Sequence, residues 1–161
     1  MNFYNRHILP NLVHLACYQR QITHQRMKVV PYACGRVLEV GLCTCLNLPY
    51  YDARKVHKVW GLDPSSKMIE RAKEKIQSVS FEVELIGTSA EEIPLDSNSV
   101  DTVVVTYTLC TISDIDLAIK EMARVLKPSG KLIFCEHGAA TDIRVLRFQN
   151  FINPVWSLVG G

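Results

Sequence analysis

The stretch VLEVGLCTCLNLPYY, residues 37–51, decides how the chain is read. It opens as a short apolar run containing a single acid, Glu39, and reaches Gly41 directly afterwards. A buried strand that ends in an acid and a glycine and then turns through small residues toward a helix is how nucleotide-type ligand sites open in α/β proteins. Glycine is expected at two further positions of that turn, yet Cys43 and Cys45 stand there. A cysteine held at φ > 0 costs roughly 1 kcal/mol or more. With their side chains in the path of a ligand, two such residues are expected to weaken binding by about ten- to a thousandfold.

Outward from this turn the chain alternates. Upstream, residues 10–30 have the spacing of an N-terminal helix, with Leu12, Leu15, Ala16, Ile22 and Met27 on one side and Pro31 as its stop. Downstream, LNLPYYDARK (46–55) reads as a weak helix with Pro49 in its first turn, and KVWGLD (58–63) as a second strand. The best helix is SSKMIERAKEKIQ (65–77), capped by Ser65 or Ser66 and buried through Met68, Ile69, Ala72 and Ile76. SFEVELIG (80–87) alternates as a third strand, and the polar TSAEEIPLDSNSV (88–100) is a loop. DTVVVTYTL (101–109) is β-branched almost throughout and is expected to be buried on both faces. SDIDLAIKEMARVLKPSG (113–130) is a capped helix with Ile115, Ala118, Ile119, Met122 and Leu126 on its apolar face, and KLIFCEHG (131–138) is a fifth strand. The segment after it is expected to be helical until Asn153-Pro154.

This order predicts an α/β fold: a doubly wound, mostly parallel Rossmann-like sheet of five strands, behind an N-terminal helical segment. One domain spans 1–161, with a helical cover at 1–32, a ligand-binding core at 36–137 and a helical tail at 139–161. Apolar residues make up 48% and charged residues 21%, as in globular chains. A net charge of +2 argues against a nucleic-acid partner. No apolar run approaches the ~20 residues of a membrane span. Arg6, His7 and Pro10 come too early for a signal peptide. The six cysteines therefore read as reduced and cytoplasmic, and Cys43-Thr44-Cys45 lacks the second Cys/His pair that a zinc site needs.

In a parallel sheet, ligands bind beyond the carboxyl ends of the strands, so the residues there carry the information. They are Glu39, Gly41 and the cysteine turn; Asp63; Ser89, Ala90 and Glu91; Thr106, Tyr107 and Thr108; and Glu136 and His137. Asp63 lies 22 residues beyond Gly41, where a carboxylate can accept from both hydroxyls of a ribose. Asp63-Pro64-Ser65 could equally be a turn and helix cap, but that does not explain its coincidence with the glycine turn. A nicotinamide dinucleotide would need exposed N–H groups at a glycine-rich phosphate cradle, which the cysteines fill with no basic residue nearby.

The motifs VLEVG, VWGLDPS, SAEEIPL, DTVVVTYTL and EMARVLKPSGKLIFCEH together resemble those of class I S-adenosylmethionine-dependent methyltransferases. The resemblance is closest to the branch acting on quinone precursors, phospholipid head groups and other small acceptors, and covers about residues 36–137. It implies S-adenosyl-L-methionine as cofactor, and methyl transfer to a small-molecule or lipid-like acceptor. It further implies that Glu39 serves the cofactor's ammonium and that the backbone from Gly41 through Cys43 to Cys45 faces its methionine part. Asp63 would hold the ribose, with Pro64, Ser89, Ala90 and Glu91 around the adenine and Thr106 and Tyr107 beneath the sulfonium. His137 and Tyr107 are the candidate catalytic residues, with packing the plainer role for His137. Against the usual seven strands of the family, the last two are expected to be missing. If the acceptor is a lipid, a peripheral membrane contact through Phe3, Tyr4 and Ile8 is a secondary expectation. The alternative function is a catalytically impaired, methyltransferase-like remnant that acts as a binding or interaction module.

Overall fold

A computed structural model describes residues 20–136 together with 138, 142–144, 147 and 151. Five strands form one parallel sheet: β1 (Gly35–Val40), β2 (Val56–Leu62), β3 (Glu82–Ile86), β4 (Val100–Thr106) and β5 (Leu126–Cys135). Their order is β3-β2-β1-β4-β5, the doubly wound arrangement expected from the sequence. Three helices are described: α1 (Arg20–Val29), α2 (Ser66–Lys75) and α3 (Ile115–Val125). The chain reverses its direction of progress across the sheet between β1 and β4, the switch point where α/β folds open a crevice.

Alternation along the central strands sorts the core into two layers. Leu38, Val40, Leu62, Val103 and Val105 pack on one face, against Ala118, Met122 and Val125 of α3. Val37, Val59 and Val104 point to the other face, among Val30, Leu42, Cys45, Leu48, Tyr51 and Ala72 of α2. Each buried aliphatic side chain contributes about 1.5–3 kcal/mol. By the same parity Glu39 and Thr106 lie on the second face at the carboxyl end, where Glu39 is 1% exposed.

At the amino end of the sheet one residue ties three elements together. Asp101 accepts from the Arg36 N–H at 2.8 Å and from Lys127 Nζ at 2.6 Å. Gly35, at φ 69°, approaches it so closely that a Cβ there would lie 2.5 Å from a carboxylate oxygen.

Several elements depart from the sequence reading. The weak helix over 46–55 is only a 3₁₀ turn, Leu48–Tyr50. Asn47 and Tyr51 are drawn inward to the Glu39 carboxylate, and Asp52 accepts from Arg54 N–H in a turn, so no helical ladder forms. The helix over 113–130 stops at Val125, because Pro128 disfavours helix at the residue before it; Leu126 instead begins β5, paired with Val100. Its apolar face also differs: Ala118, Met122 and Val125 are buried, whereas Ile115 and Ile119 are 42% and 48% exposed. Asp114 caps it, accepting from Leu117 N–H, as Ser65 caps α2 from Met68 N–H. Met27 is 52% exposed, and the buried residue of α1 is Arg26. The expected helix at residues 10–19, His137 and most of the tail lie outside the described residues.

Leu38, fully buried, and Ile119, half-exposed, provide a contrast. Leu38→Ala is expected to lower the unfolding free energy by about 3 kcal/mol, and Ile119→Ala by about 0.5 kcal/mol or less. Urea unfolding, with an unchanged slope for both, checks the pair.

Candidate functional site

The loops that leave β1 and β2 meet at the crevice. Gly41 and Leu42 both donate their N–H groups to the carbonyl of Leu62, at 2.9 and 3.0 Å. The Asp63 carboxylate then accepts from the Cys43 N–H and from the Ser65 N–H, each at 2.9 Å. Asp63 therefore caps its own turn, one of the two roles weighed for it in sequence, and also holds the cysteine loop. Burial raises its pKa, and the hydrogen bonds from Ser65 and Cys43 oppose that rise.

Gly41 sits at φ 74°, and a Cβ there would run into the side chain of Thr108. Only glycine allows β1 to turn this close to the β4 loop. Cys43 and Cys45 are also left-handed, at φ 52° and 59°. Their side chains do not share one fate. Cys45 is 2% exposed within the core beside α2, its sulfur 3.9 Å from the Ala72 carbonyl, so it does not stand in a ligand's path. Burial pushes its thiol up to about 12, with the Glu39 charge adding to the effect. Cys43 is only partly buried. The loop is also less isolated from basic groups than the sequence suggested: Lys75 Nζ donates to the Thr44 carbonyl at 2.8 Å.

A cavity of about 220 Å³ opens beside this junction. Val40, Leu62, Pro64, Ala90 and Ile112 give it apolar walls, and Gly41, Ser89, Glu91, Thr108 and Thr111 line it too. The loop after β4 is fixed from β5: Glu136 accepts from the N–H groups of Thr108 and Leu109, at 2.8 and 3.2 Å. Glu91 in turn accepts from Asp114 N–H at the start of α3, which holds its pKa below the usual range.

Behind the cysteine loop lies a buried polar network. Glu39 accepts from Tyr51 Oη at 2.8 Å and from Asn47 Nδ2 at 3.0 Å. Asn47 Oδ1 accepts from Arg26 at 2.8 Å, and the same guanidinium nitrogen donates to Thr106 Oγ1 at 2.6 Å. The guanidinium lies over the Tyr107 ring, 5.2 Å from its centre. Tyr107 is itself left-handed at φ 55°, and its hydroxyl lies 3.3 Å from Cys135 Sγ. Burial first, then Cys135, raises the Tyr107 pKa well above its ordinary value. Burial likewise pushes the Glu39 carboxyl from 4.5 up to about 7, against the opposing pull of Tyr51, Arg26 and Asn47.

Of the residues singled out in sequence, Gly41, Pro64, Ser89, Ala90 and Glu91 share the cavity, with Asp63 and Cys43 bonded at its edge. Glu39 and Thr106 belong to the polar network, with Tyr107 stacked on it, and none of the three lines the cavity. Arg26, Asn47 and Tyr51 were not anticipated. An arginine in a polar helix gives no sign of burial, and Asn47 and Tyr51 fell in a segment read as a weak helix.

A family profile described as "Methyltransferase domain" matches residues 38–134, which is more than half of the chain. The chain belongs to this methyltransferase-domain family. It is 34% identical over 125 residues to a phosphatidylethanolamine N-methyltransferase of Cereibacter sphaeroides, covering 72% of this chain and 61% of that one. A demethylmenaquinone methyltransferase of Bacillus mycoides is 39% identical over 87 residues, covering 53% of this chain and 37% of the relative. The chain thus spans less than two thirds of the length of these relatives. A putative methyltransferase structure from Bacillus halodurans superposes with a TM-score of 0.71 at 19% identity, over 86% of this chain and 61% of that one. YcgJ from Bacillus subtilis gives 0.62 at 25%, over 85% and 59%. In this methyltransferase-domain chain the profile match begins in β1 and runs almost to the end of β5, so it takes in both the cavity and Glu39.

Two tests follow. A carboxyl whose folded pKa is raised favours the fold in its neutral form. For Glu39 that contribution is complete below pH 4.5 and is lost as pH climbs through about 7, on the order of 3 kcal/mol in all. Glu39→Gln should therefore gain stability relative to the wild type between pH 5 and pH 8, read by urea unfolding at both. Cys43→Gly relieves left-handed strain and is expected to stabilise by about 1 kcal/mol. Cys45→Gly relieves the same strain but empties a core position, so its melting temperature should fall.

Proposed function

We propose that the crevice binds S-adenosyl-L-methionine and that the protein transfers its methyl group to a small-molecule or lipid-like acceptor. The observation that carries this reading is the Asp63 carboxylate bonded to the Cys43 N–H at 2.9 Å, which joins the β1 and β2 loops at one cleft. Each Asp63 oxygen accepts one backbone N–H and keeps a lone pair for a ribose hydroxyl. Pro64 and Ala90 offer apolar faces to an adenine ring, with the Ser89 hydroxyl as an acceptor at its edge. The buried Glu39 carboxylate is the group suited to the ammonium, and the backbone from Gly41 to Cys43 flanks the segment between.

The cofactor, when bound, supplies a methyl group activated on a sulfonium. The protein's task is orientation and exclusion of water. Val40, Leu62 and Ile112 keep one wall of the cleft dry. Tyr107, with its pKa raised, keeps its hydroxyl proton at neutral pH and so suits positioning an acceptor better than acting as a base. A lipid-like acceptor is supported by two relatives named for a phospholipid and a quinone. A peripheral membrane contact of the N-terminal segment goes with that acceptor class. The whole of 1–161 then serves as one methyltransferase domain, with 36–137 as its cofactor-binding core.

One observation favours a second reading, a binding module without turnover: both Glu39 oxygens are already engaged, by Tyr51 and Asn47. Isothermal titration separates the two. Micromolar affinity for S-adenosylmethionine and S-adenosylhomocysteine is expected, falling about ten- to a hundredfold in Asp63→Asn. Millimolar or absent binding in the wild type overturns the methyltransferase reading.

A further inference from the structure

One wall of the cavity is a short strap between β4 and α3, which contributes Thr108, Thr111, Ile112 and Ser113. Its internal order is a single 3₁₀ turn, Leu109–Thr111. One turn of helix is too short to be stable by itself, so the strap takes its position from outside.

The chain leaves the sheet abruptly here. Tyr107 makes the last bond of the ladder, its N–H donating to the Cys135 carbonyl at 2.9 Å, and then turns at φ 55°. The N–H groups of Thr108 and Leu109 lie past the end of that ladder. Backbone donors in such a place need another acceptor. One carboxylate takes both: Glu136, at 2.8 and 3.2 Å. Successive N–H groups after a left-handed residue form a concavity that suits an anion, and the first residue after β5 supplies it.

The far end of the strap is held in the same manner, since Glu91 accepts from the Asp114 N–H at 3.1 Å. The wall is thus slung between two carboxylates. Glu91 lines the cavity, whereas Glu136 does not and acts on it only through the backbone it grips. That grip extends to the opposite wall. The Thr108 side chain occupies the space beside Gly41, where a Cβ would collide with it.

We propose that Glu136 is a positioning residue for the ligand, holding the Thr108–Ser113 wall at the distance from Gly41 and Ala90 that a bound nucleoside requires. This rests on the S-adenosylmethionine reading of the crevice and adds the end of β5 to the residues that set affinity. The wall is in place before the ligand arrives, so its ordering is not drawn from the binding energy.

Titration with S-adenosylhomocysteine and 5′-methylthioadenosine tests this, because the wall borders the nucleoside that both probes carry. Glu136→Ala is expected to weaken both by about tenfold or more. Glu136→Gln keeps an oxygen that can accept from the same two N–H groups, and should recover binding to within about threefold of the wild type. Lys127→Met cuts the Asp101 tie at the other end of the same strand. It should leave both affinities within about twofold, which separates positioning from general loosening. One measurement needs no variant. In the ligand-free wild type, the amides of Thr108 and Leu109 should exchange with solvent at least about a hundredfold more slowly than an unbonded amide. The proposal is overturned if Glu136→Ala binds both probes within about twofold of the wild type, or if Glu136→Gln is as weak as Glu136→Ala. Equal losses in Lys127→Met and Glu136→Ala, or free exchange of the two amides, also overturn it. Failure of the wild type to bind either probe removes the cofactor reading itself, and the assignment with it.

Discussion

Asp63 is the residue on which the architecture of the crevice turns. Parallel strands bring their carboxyl ends to one side, but they do not by themselves fix the loops beyond. Here the loop after β1 contains one glycine and two left-handed cysteines, each costing roughly 1 kcal/mol. The strained loop stays in place because the Leu62 carbonyl takes the N–H groups of Gly41 and Leu42 and the Asp63 carboxylate takes that of Cys43. Hydrogen bonds to an ionised acceptor are each worth about 1.5–3 kcal/mol, enough to offset that strain. The tie also makes the β1 turn a neighbour of the α2 cap, since the same carboxylate accepts from Ser65.

The two faces of the sheet divide the site chemically. On the α3 side, Val40 and Leu62 continue their apolar strands into the wall of the cavity. On the α2 side, parity places Glu39 and Thr106 where aliphatic residues would otherwise stand, and polar neighbours are recruited to satisfy them. Tyr51 and Asn47 leave the helix that their segment's composition suggests, because an unmet buried carboxylate would cost more than a short helix returns. The two faces therefore differ in medium, one an apolar cavity wall and the other a buried network of protein dipoles.

How much of this could be read from residues alone depended on whether the signal was local. Strand β4, nearly all β-branched, and α2, with serine caps and a clean apolar stripe, declared themselves through periodicity. Asp63 was legible because its distance from Gly41 reflects the length of one strand–turn–strand unit. The positive φ of Cys43 and Cys45 followed from the turn they occupy, but the direction of the Cys45 side chain did not, since it depends on Ala72 of α2, 27 residues further along the chain. Arg26 was invisible for the same reason: its partners are 21 and 80 residues away, and helical spacing pointed to Met27 instead. The end of α3 at Val125 was misjudged by a few residues, because Pro-Ser-Gly was taken as the stop when the chain had already begun pairing with β4.

Asp101 stands at the opposite pole of the sheet from all this chemistry. It gathers the Arg36 amide, the Lys127 ammonium and the bare backbone of Gly35, where no side chain can be added without a collision. The sheet is thus pinned at one end and opens into the cavity at the other. Residues 35, 101 and 127 take no part in the cavity lining, so substitutions there bear on how the strands are pinned together and not on the walls of the crevice.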